Sequence, residues 1–394
     1  MKIGKIFIFL AVSFIILNLG AYLLIYSKTE TNIYSKNYLE KKKSFFIFNP
    51  VLSHVHPFFG SIDLNNQKYE DNLISNEKLF YSIFESNNSS NSEALRILMI
   101  GNSSAINFSN NQKNAHDLEI IVTNPKSENI LAKKISSYFP DKKIIFYNAA
   151  IKSGKQPQQL FKLYYLSLIG IKFDIVINYD GPLELVHPYL KNVPIKDELI
   201  YPRRYSDEIA GMVSDISCIK KNNKVSESNS FIPIVELISY FYIRNCQRKL
   251  SKREGNKVNW KKLVKIEEKN IDETIKTSYE IWKRSSSEIE NFSKLKNFFY
   301  LHVVAPSQYV KGSKKFSDEE KKEFFENEYR PILSEYYEKL INFQNLSISN
   351  SLDLKYVFKN EKKTVYRDSC CRLNDYGLNI VSENIAKYLK DNFK

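Results

Sequence analysis

The residues that decide the fold are 96–105, which read RILMIGNSSA. The run from Arg96 to Ile100 is mostly apolar and of strand length, and a glycine and two serines follow closely. A serine placed where a strand gives way to a helix lies near exposed backbone N–H groups. Such a position can hold a nucleophile and the donors that stabilise an oxyanion. The same letters also fit a plain turn in which a serine caps the helix.

Other stretches of the chain repeat this pattern of short apolar runs. Three more runs of strand length are Lys143 to Asn148, Phe173 to Asn178 and Phe298 to Val304. Helical spacing of apolar residues marks Glu128 to Phe139, Gln158 to Leu168 and an amphipathic stretch from Leu378. Apolar strands that alternate with helices predict a parallel sheet covered on both faces. Such folds bind ligands at the edge where the carboxyl ends of the strands gather.

Composition excludes several classes of protein. The chain has 394 residues and a net charge of +14, yet 43% of its residues are hydrophobic and 14% aromatic, which is too apolar for a disordered chain. Its 11 glycines fall well below the usual share of about 7%, which argues against collagen-like and Gly-rich classes. The length suits one large domain or two ordinary ones.

The N-terminus predicts a membrane anchor. Residues Ile6 to Tyr26 contain no charged side chain, and lysines flank them on both sides. Twenty-one uncharged, mostly apolar residues are enough for a helix to span a bilayer. Cleavage as a signal peptide is the alternative, but the apolar run is long for one and no small-residue cleavage site follows it. Lysines on both flanks leave the orientation open.

We therefore divide the chain into three parts. Residues 1–28 form the anchor, residues 29–94 a stem and a segment leading into the domain, and residues 95–394 the α/β domain. A polar, mostly helical insertion occupies about 190–297 of that domain. We expect a single-pass protein whose soluble domain lies outside the cytoplasm.

The insertion contains a strongly basic stretch. From Arg244 to Lys265 there are nine basic residues and one acid, Glu254. Such a stretch is either a solvated helical face or a contact for anionic headgroups or an acidic glycan. Nucleic acid is disfavoured as a partner, because the chain has an apolar N-terminal segment and no nucleic-acid-binding motif.

Three polar segments follow the later strands. They read NAAIKSGKQPQQL at 148–160, NYDGPLEL at 178–185 and YRDSCCRLNDYG at 366–377. Together with Gly101-Asn102-Ser103 and with HPFFG at 56–60, their order resembles the SGNH/GDSL hydrolase superfamily over roughly residues 50 to 394. The resemblance implies a three-layer αβα, flavodoxin-like parallel sheet without a cofactor. It also implies that Ser103 is the nucleophile and that the backbone N–H of Gly154 helps to hold the oxyanion.

Two of the family's signature side chains are replaced. The third segment of the family reads Gly-x-Asn-Asp or Gly-x-Asn-Glu, and here the asparagine position is Leu183, whose side chain cannot donate a hydrogen bond. The last segment reads Asp-x-x-His. One alignment places these two positions on Ser369 and Arg372, and the other keeps Asp368 but places the histidine on Cys371. Neither alignment leaves a general base.

The chain has five histidines that could replace the missing one: His54, His56, His116, His187 and His302. We expect His187 and His56 to lie at the surface and His302 to be packed within a strand. No spacing resembles a metal site.

Two functions remain open. One is a serine esterase or acyltransferase that acts on acyl groups of a surface glycan, with Ser103 as nucleophile and Asp368 as the candidate acid. The other is an inactive member of the family that serves as a binding or assembly module in surface-polysaccharide production.

Overall fold

The computed structural model describes residues 2–29, 53–56, 60–63, 80, 82–86, 94–109, 129–151, 154–193, 198–202, 232–238, 241, 271–324, 330–337, 348–369 and 372–393. The chain divides into two compact units. One comprises residues 1–52 and 207–265, and the other comprises residues 53–206 and 266–394.

The first unit contains the long helix α1, Lys2–Thr29. From Val12 to Tyr26, most of its large apolar side chains are exposed. In this helix the side chains are described for residues 11–27. Within the described part of the chain, no helix is long and apolar enough to cross a membrane.

The second unit is built on a mixed, mostly parallel sheet of six strands. They are β3 Ser82–Glu85, β4 Leu95–Gly101, β5 Ile144–Asn148, β6 Ile175–Asp180, β7 Phe299–Val304 and β8 Ser351–Asp353. Their spatial order is β3-β5-β4-β6-β7-β8, and only β3 runs antiparallel to its neighbour. The five parallel strands therefore follow the order 2-1-3-4-5, which is the flavodoxin-like order. A separate antiparallel hairpin pairs β1 Ser53–His56 with β2 Gly60–Asp63.

Helices pack on both faces of this sheet. They are α2 Ser103–Ile106, α3 Ile130–Tyr138, α4 Gln158–Leu168, α5 Pro182–His187, α6 Ile271–Lys296, α7 Asp318–Phe324, α8 Arg330–Ile332 and α9 Asp375–Asn392. Alternate side chains of β4 enter two different apolar clusters, since Leu98 packs with α4, α5 and α6 while Met99 packs with α2, α3 and α9. This arrangement is compatible with a three-layer α/β fold.

The four predicted strands are confirmed, with shifted ends. The largest shift is in β6, which runs to Asp180 rather than ending at Asn178, because its pairing with β7 continues to Asp180 opposite Val304. The predicted helix over Gln158–Leu168 is confirmed at both ends. Helix α9 begins three residues before Leu378, because the side chain of Asn374 accepts a hydrogen bond from the N–H of Gly377 at 2.9 Å.

Candidate functional site

The carboxyl end of β4 lies at the point where the strand order reverses. Strand β4 pairs with β5 on one side and with β6 on the other, and the chain enters these neighbours in turn. Ligands of open α/β sheets bind in the crevice outside this point. The loop after β5 follows the end of β4 closely, because the N–H of Ile151 donates to the carbonyl of Gly101 at 2.9 Å. The segments 101–103 and 148–160 therefore meet here.

The turn after β4 requires glycine at its first position. Gly101 has φ +156°, and a Cβ added there would lie 2.3 Å from the carbonyl oxygen of Tyr179 and 2.6 Å from the Cβ of Ala105. The next residue, Asn102, caps α2 by accepting from the N–H of Ser104 at 2.9 Å. The interpretation in which a serine caps this helix is therefore wrong. Ser103 is the first residue of α2.

Ser103 differs from its neighbours in exposure. Gly101, Asn102 and residues 104–109 are buried, whereas Ser103 is partly exposed. Since buried residues hold the turn on both sides, this serine is the one that the turn presents towards solvent. The position suits a side chain that meets a ligand.

A buried polar cluster fixes the turn to its surroundings. The side-chain amide of Asn148 donates to the carbonyl of Ala105 at 3.0 Å and to Oγ of Ser109 at 2.7 Å. The side-chain amide of Asn107 donates to the carbonyl of Leu373 at 2.6 Å. These bonds join the turn after β4 to the segments 148–160 and 366–377. Because buried amides need partners, they also define one position for α2.

The loop that carries Gly154 is held by a hydrogen bond within the loop and by bonds to α5. The N–H of Gly154 donates to the carbonyl of Ile151 at 2.8 Å. It is therefore engaged within its own loop in this structure, and an oxyanion would have to compete with that carbonyl. Farther along, Glu184 accepts from the N–H of Gln156 at 2.5 Å and from Nε2 of Gln159 at 2.9 Å. Helix α5 thereby fixes the same loop.

Glu184 is a buried carboxyl with an unusual environment. Burial, which disfavours the charged form, raises its pKa well above the ordinary value, and the neighbouring charge of Asp180 adds to the rise. The bond from Gln156 and the charge of Lys155 act in the opposite direction. Lys155 is itself fully buried, and its Nζ donates to the carbonyl of Leu199.

The segment 178–185 places Leu183 in the core. Its side chain is 2% exposed and belongs to the apolar cluster shared by α4, α5 and α6. A hydrogen-bond donor at this position would point into hydrocarbon. The substitution therefore fits the packing of α5, and Leu183 supplies no oxyanion donor.

The described residues of the segment 366–377 lead into α9, which begins at Asp375. Tyr366 and Leu373 form an isolated antiparallel bridge. Within the loop, Arg372 donates to both carboxylate oxygens of Asp368, from its backbone N–H at 3.1 Å and from Nε. The carbonyl of Ser369 accepts from the hydroxyl of Tyr309. Cys371 lies outside the described residues.

This loop is also tied to the segment that follows β7. Nε2 of Gln308 donates to the carbonyl of Asp368 at 3.1 Å. The structure therefore gathers Ser103, Gly154, Asp368 and Arg372 on loops that are joined to one another at the carboxyl end of the sheet. It directs Leu183 into the core instead.

The histidines have mixed outcomes. His302 is fully buried in β7, as predicted, and its Nε2 lies 2.8 Å from Oδ1 of Asp180. His187 is 2% exposed, so the prediction of a surface position is wrong, because α5 packs against α6 in the apolar core. His54 and His56 lie on β1, where their side chains are not described, and His116 lies outside the described residues.

Sequence reasoning missed Asp180. It ends a strand whose six residues are all buried, and it accepts hydrogen bonds from His302 and from Nε1 of Trp282, the latter at 2.9 Å. In the sequence, the available signal was an acid at the end of a mostly apolar run of strand length. In the described part of the chain, no group of histidine, cysteine and acidic residues could hold a metal ion.

The basic stretch from Arg244 to Lys265 lies outside the described residues. A scan against protein-family models found no match for this chain, and a search of curated proteins found none either.

Proposed function

We propose that this chain is a membrane-attached, SGNH/GDSL hydrolase-like protein of the cell envelope that binds its ligand at the sheet edge without hydrolysing it. The ion pair between Asp368 and Arg372 carries this proposal. In the family that the sequence resembles, this loop supplies the aspartate and histidine that activate the serine. Here both oxygens of the only remaining candidate acid accept hydrogen bonds from an arginine.

Arginine cannot replace the missing base. Its guanidinium remains protonated at all accessible pH values, so it cannot accept the proton of the Ser103 hydroxyl. Loss of a member of a catalytic triad lowers the rate by about 10⁴- to 10⁶-fold. Loss of one oxyanion donor, as at Leu183, costs a further ~10²- to 10³-fold. The two losses together support binding over hydrolysis.

The strand order and the loops support the family assignment. The order 2-1-3-4-5 is the one expected for a flavodoxin-like αβα sandwich of SGNH type. Gly101 and Gly181 both have positive φ, at +156° and +136°, and each lies directly at the carboxyl end of a strand. The scaffold of a site at this edge is therefore retained, although its acid–base side chains are not.

Membrane attachment through Ile6–Tyr26 is part of the proposal. Helix α1 carries this run, which contains no charged side chain. Its exposed apolar side chains support the same assignment. We further propose that the ligand is an acyl-modified surface glycan. The basic stretch Arg244 to Lys265 is proposed as a contact for anionic groups.

The test is a gain of function. We expect the purified protein to hydrolyse p-nitrophenyl acetate no faster than the Ser103→Ala variant. The double variant Ser369→Asp, Arg372→His should hydrolyse it measurably, and adding Ser103→Ala to that variant should abolish the gain. Serine-dependent turnover by the unmodified protein would refute the proposal.

A serine esterase or acyltransferase is the second candidate, and the exposure of Ser103 favours it. This residue alone in the turn 101–109 is partly exposed. If it is a nucleophile, a fluorophosphonate probe should label the protein, and Ser103→Ala should abolish the label. Ser104→Ala is the matched control, since Ser104 is the buried neighbour in the same turn. Labelling that survives Ser103→Ala would reject this candidate.

A further inference from the structure

Residues 232–238 of the first unit have the reverse of the exposure pattern usual in water. Glu236 is 3% exposed. The apolar side chains around it face outward, with exposed fractions of 44% for Ile232, 42% for Val235, 64% for Ile238 and 57% for Phe241. A helix in water buries its apolar side and exposes its charged side. The surrounding medium of this segment should therefore be apolar.

The segment contacts α1. The N–H of Ile234 donates to Oδ1 of Asn18 at 3.3 Å. Asn18 lies on the less exposed stripe of α1, together with Ala21 and Ile25 at helical spacing, and both of those are 2% exposed. Backbone N–H groups at the start of a helix have no partner within the helix, and in hydrocarbon an unpaired one is very unfavourable. A polar side chain in the middle of an apolar helix supplies that partner.

The length of the apolar sequence limits what it can do. Residues 231–243 read FIPIVELISYFYI, with Glu236 as the only charged residue. Only helices and closed barrels cross a bilayer, and thirteen residues of helix extend about 20 Å, which is too short for a hydrocarbon core of about 30 Å. The segment can enter a bilayer but must leave it on the side from which it entered.

We infer that the described residues 232–238 and Phe241 insert into the same bilayer as α1, as a second lipid contact that docks on α1 at Asn18 and does not cross. The inference rests on the proposed membrane attachment. Lipid acyl chains are favoured over a protein partner, because α1, on which the segment docks, also exposes apolar side chains, and does so over most of its circumference. A protein partner would cover one face of α1 and leave the apolar side chains on its other faces exposed to water.

The experiment measures the surroundings of single side chains in the full-length protein, reconstituted into phosphatidylcholine vesicles. The four cysteines, Cys218, Cys246, Cys370 and Cys371, are replaced by serine. A bimane label is then attached at Ile238→Cys or, as a second reporter, at Val235→Cys. Leu19→Cys reports on α1, and Leu168→Cys, at a side chain that is 85% exposed in the other unit, reports on water. Each label is quenched by spin-labelled lipid chains and, separately, by iodide.

We expect lipid chains to quench the labels at 235, 238 and 19 severalfold more than iodide does, with the reverse at 168. Replacing Asn18 by leucine should increase iodide quenching at 238 while position 19 stays in lipid. If 19 is quenched by lipid but 235 and 238 are quenched by iodide, the inference is wrong and the anchor stands. If 235 and 238 are shielded from both quenchers, a protein covers them and the inference is also wrong. If 19 itself is quenched by iodide, the proposed membrane attachment fails with it.

Discussion

Nε2 of His302 lies 2.8 Å from Oδ1 of Asp180, and both side chains are completely buried. The two residues lie on adjacent parallel strands and on the sheet face covered by α6. His302 is opposite Asn178, two residues before Asp180. Trp282 of α6 donates to the same oxygen at 2.9 Å, and Asn178 donates to the other oxygen at 3.0 Å. This carboxylate therefore joins two central strands to the helix that covers them.

Replacing Asp180 by alanine should destabilise the second unit strongly. The change leaves the indole N–H of Trp282 and the ring of His302 without their common acceptor, and breaking such a buried pair costs about 3–5 kcal/mol. Urea unfolding followed by tryptophan fluorescence measures the loss. Asp391→Ala, at an exposed position in the last turn of α9, is the control and should change stability by less than about 0.5 kcal/mol. Equal unfolding midpoints for both variants would show that Asp180 does not hold the sheet to α6.

The same residues show which parts of the fold could be predicted. The parallel strands are readable because both faces of the sheet are covered, so their sequences are continuous apolar runs. The end of β6 was missed because Asp180 is polar, and its partners Trp282 and His302 are more than 100 residues away in sequence. Strand β8 has three residues, which is too short for any periodicity to mark it.

The candidate site was also predictable only where the local sequence determines it. The turn Gly101-Asn102-Ser103 was predicted, because a glycine and small polar residues after an apolar strand have few structural interpretations. The sequence could not show that Asn102, rather than a serine, caps α2. It also could not show the bond of Asn107 to Leu373, which joins segments 266 residues apart. Such contacts depend on the tertiary fold.

Glu184 should make stability fall as the pH rises. Its pKa is raised above the ordinary value of 4.5 in the folded protein, so the unfolded chain loses this proton first. The free energy of unfolding then decreases as the pH rises above about 4.5, until the folded-state pKa is reached. Glu184→Gln removes the titrating group, and its stability relative to the unmodified protein should increase over that window. Urea unfolding at a series of pH values gives the comparison.

Glu383 provides a control of opposite sign. Its pKa is lowered by the hydrogen bond from Tyr138 and by that from Lys134. A lowered pKa contributes stability above the unfolded value, and this contribution is lost as the pH falls through the folded-state pKa. Glu383→Gln should therefore lose stability relative to the unmodified protein as the pH rises, by a small amount because the group is exposed. If both variants shift in the same direction, the assignment for Glu184 is wrong.

Lys162 should make stability rise with pH. This side chain lies on the buried side of α4, and burial lowers its pKa from 10.5 to about 7. Between pH 7 and 10.5 the unfolded chain keeps a proton that the folded protein has lost, so stability increases with pH across this range. Lys162→Met keeps the linear side chain without the charge and should remove up to about 5 kcal/mol of this increase. Parallel slopes for the two proteins would contradict the lowered pKa.

Replacing Gly181 by alanine should test the close approach of Tyr337 to the end of β6. Gly181 has φ +136°, and an added Cβ would lie 2.4 Å from Oη of Tyr337, which donates to the carbonyl of Ala305 at 2.7 Å. We expect Gly181→Ala to cost at least about 2 kcal/mol, from backbone strain together with the clash. Tyr337→Phe should cost about 1 kcal/mol through the lost hydrogen bond.

The double variant separates the two causes. Removing the hydroxyl relieves the clash but not the strain, so Gly181→Ala with Tyr337→Phe should cost less than the sum of the single changes. Thermal unfolding of all four proteins gives the coupling. Gly170→Ala is the matched control, since φ is +89° there and no atom lies within 4 Å of the added Cβ, so that it carries strain alone. Strict additivity at Gly181 and Tyr337 would mean that backbone conformation alone requires the glycine at the end of β6, and that the tyrosine does not crowd it.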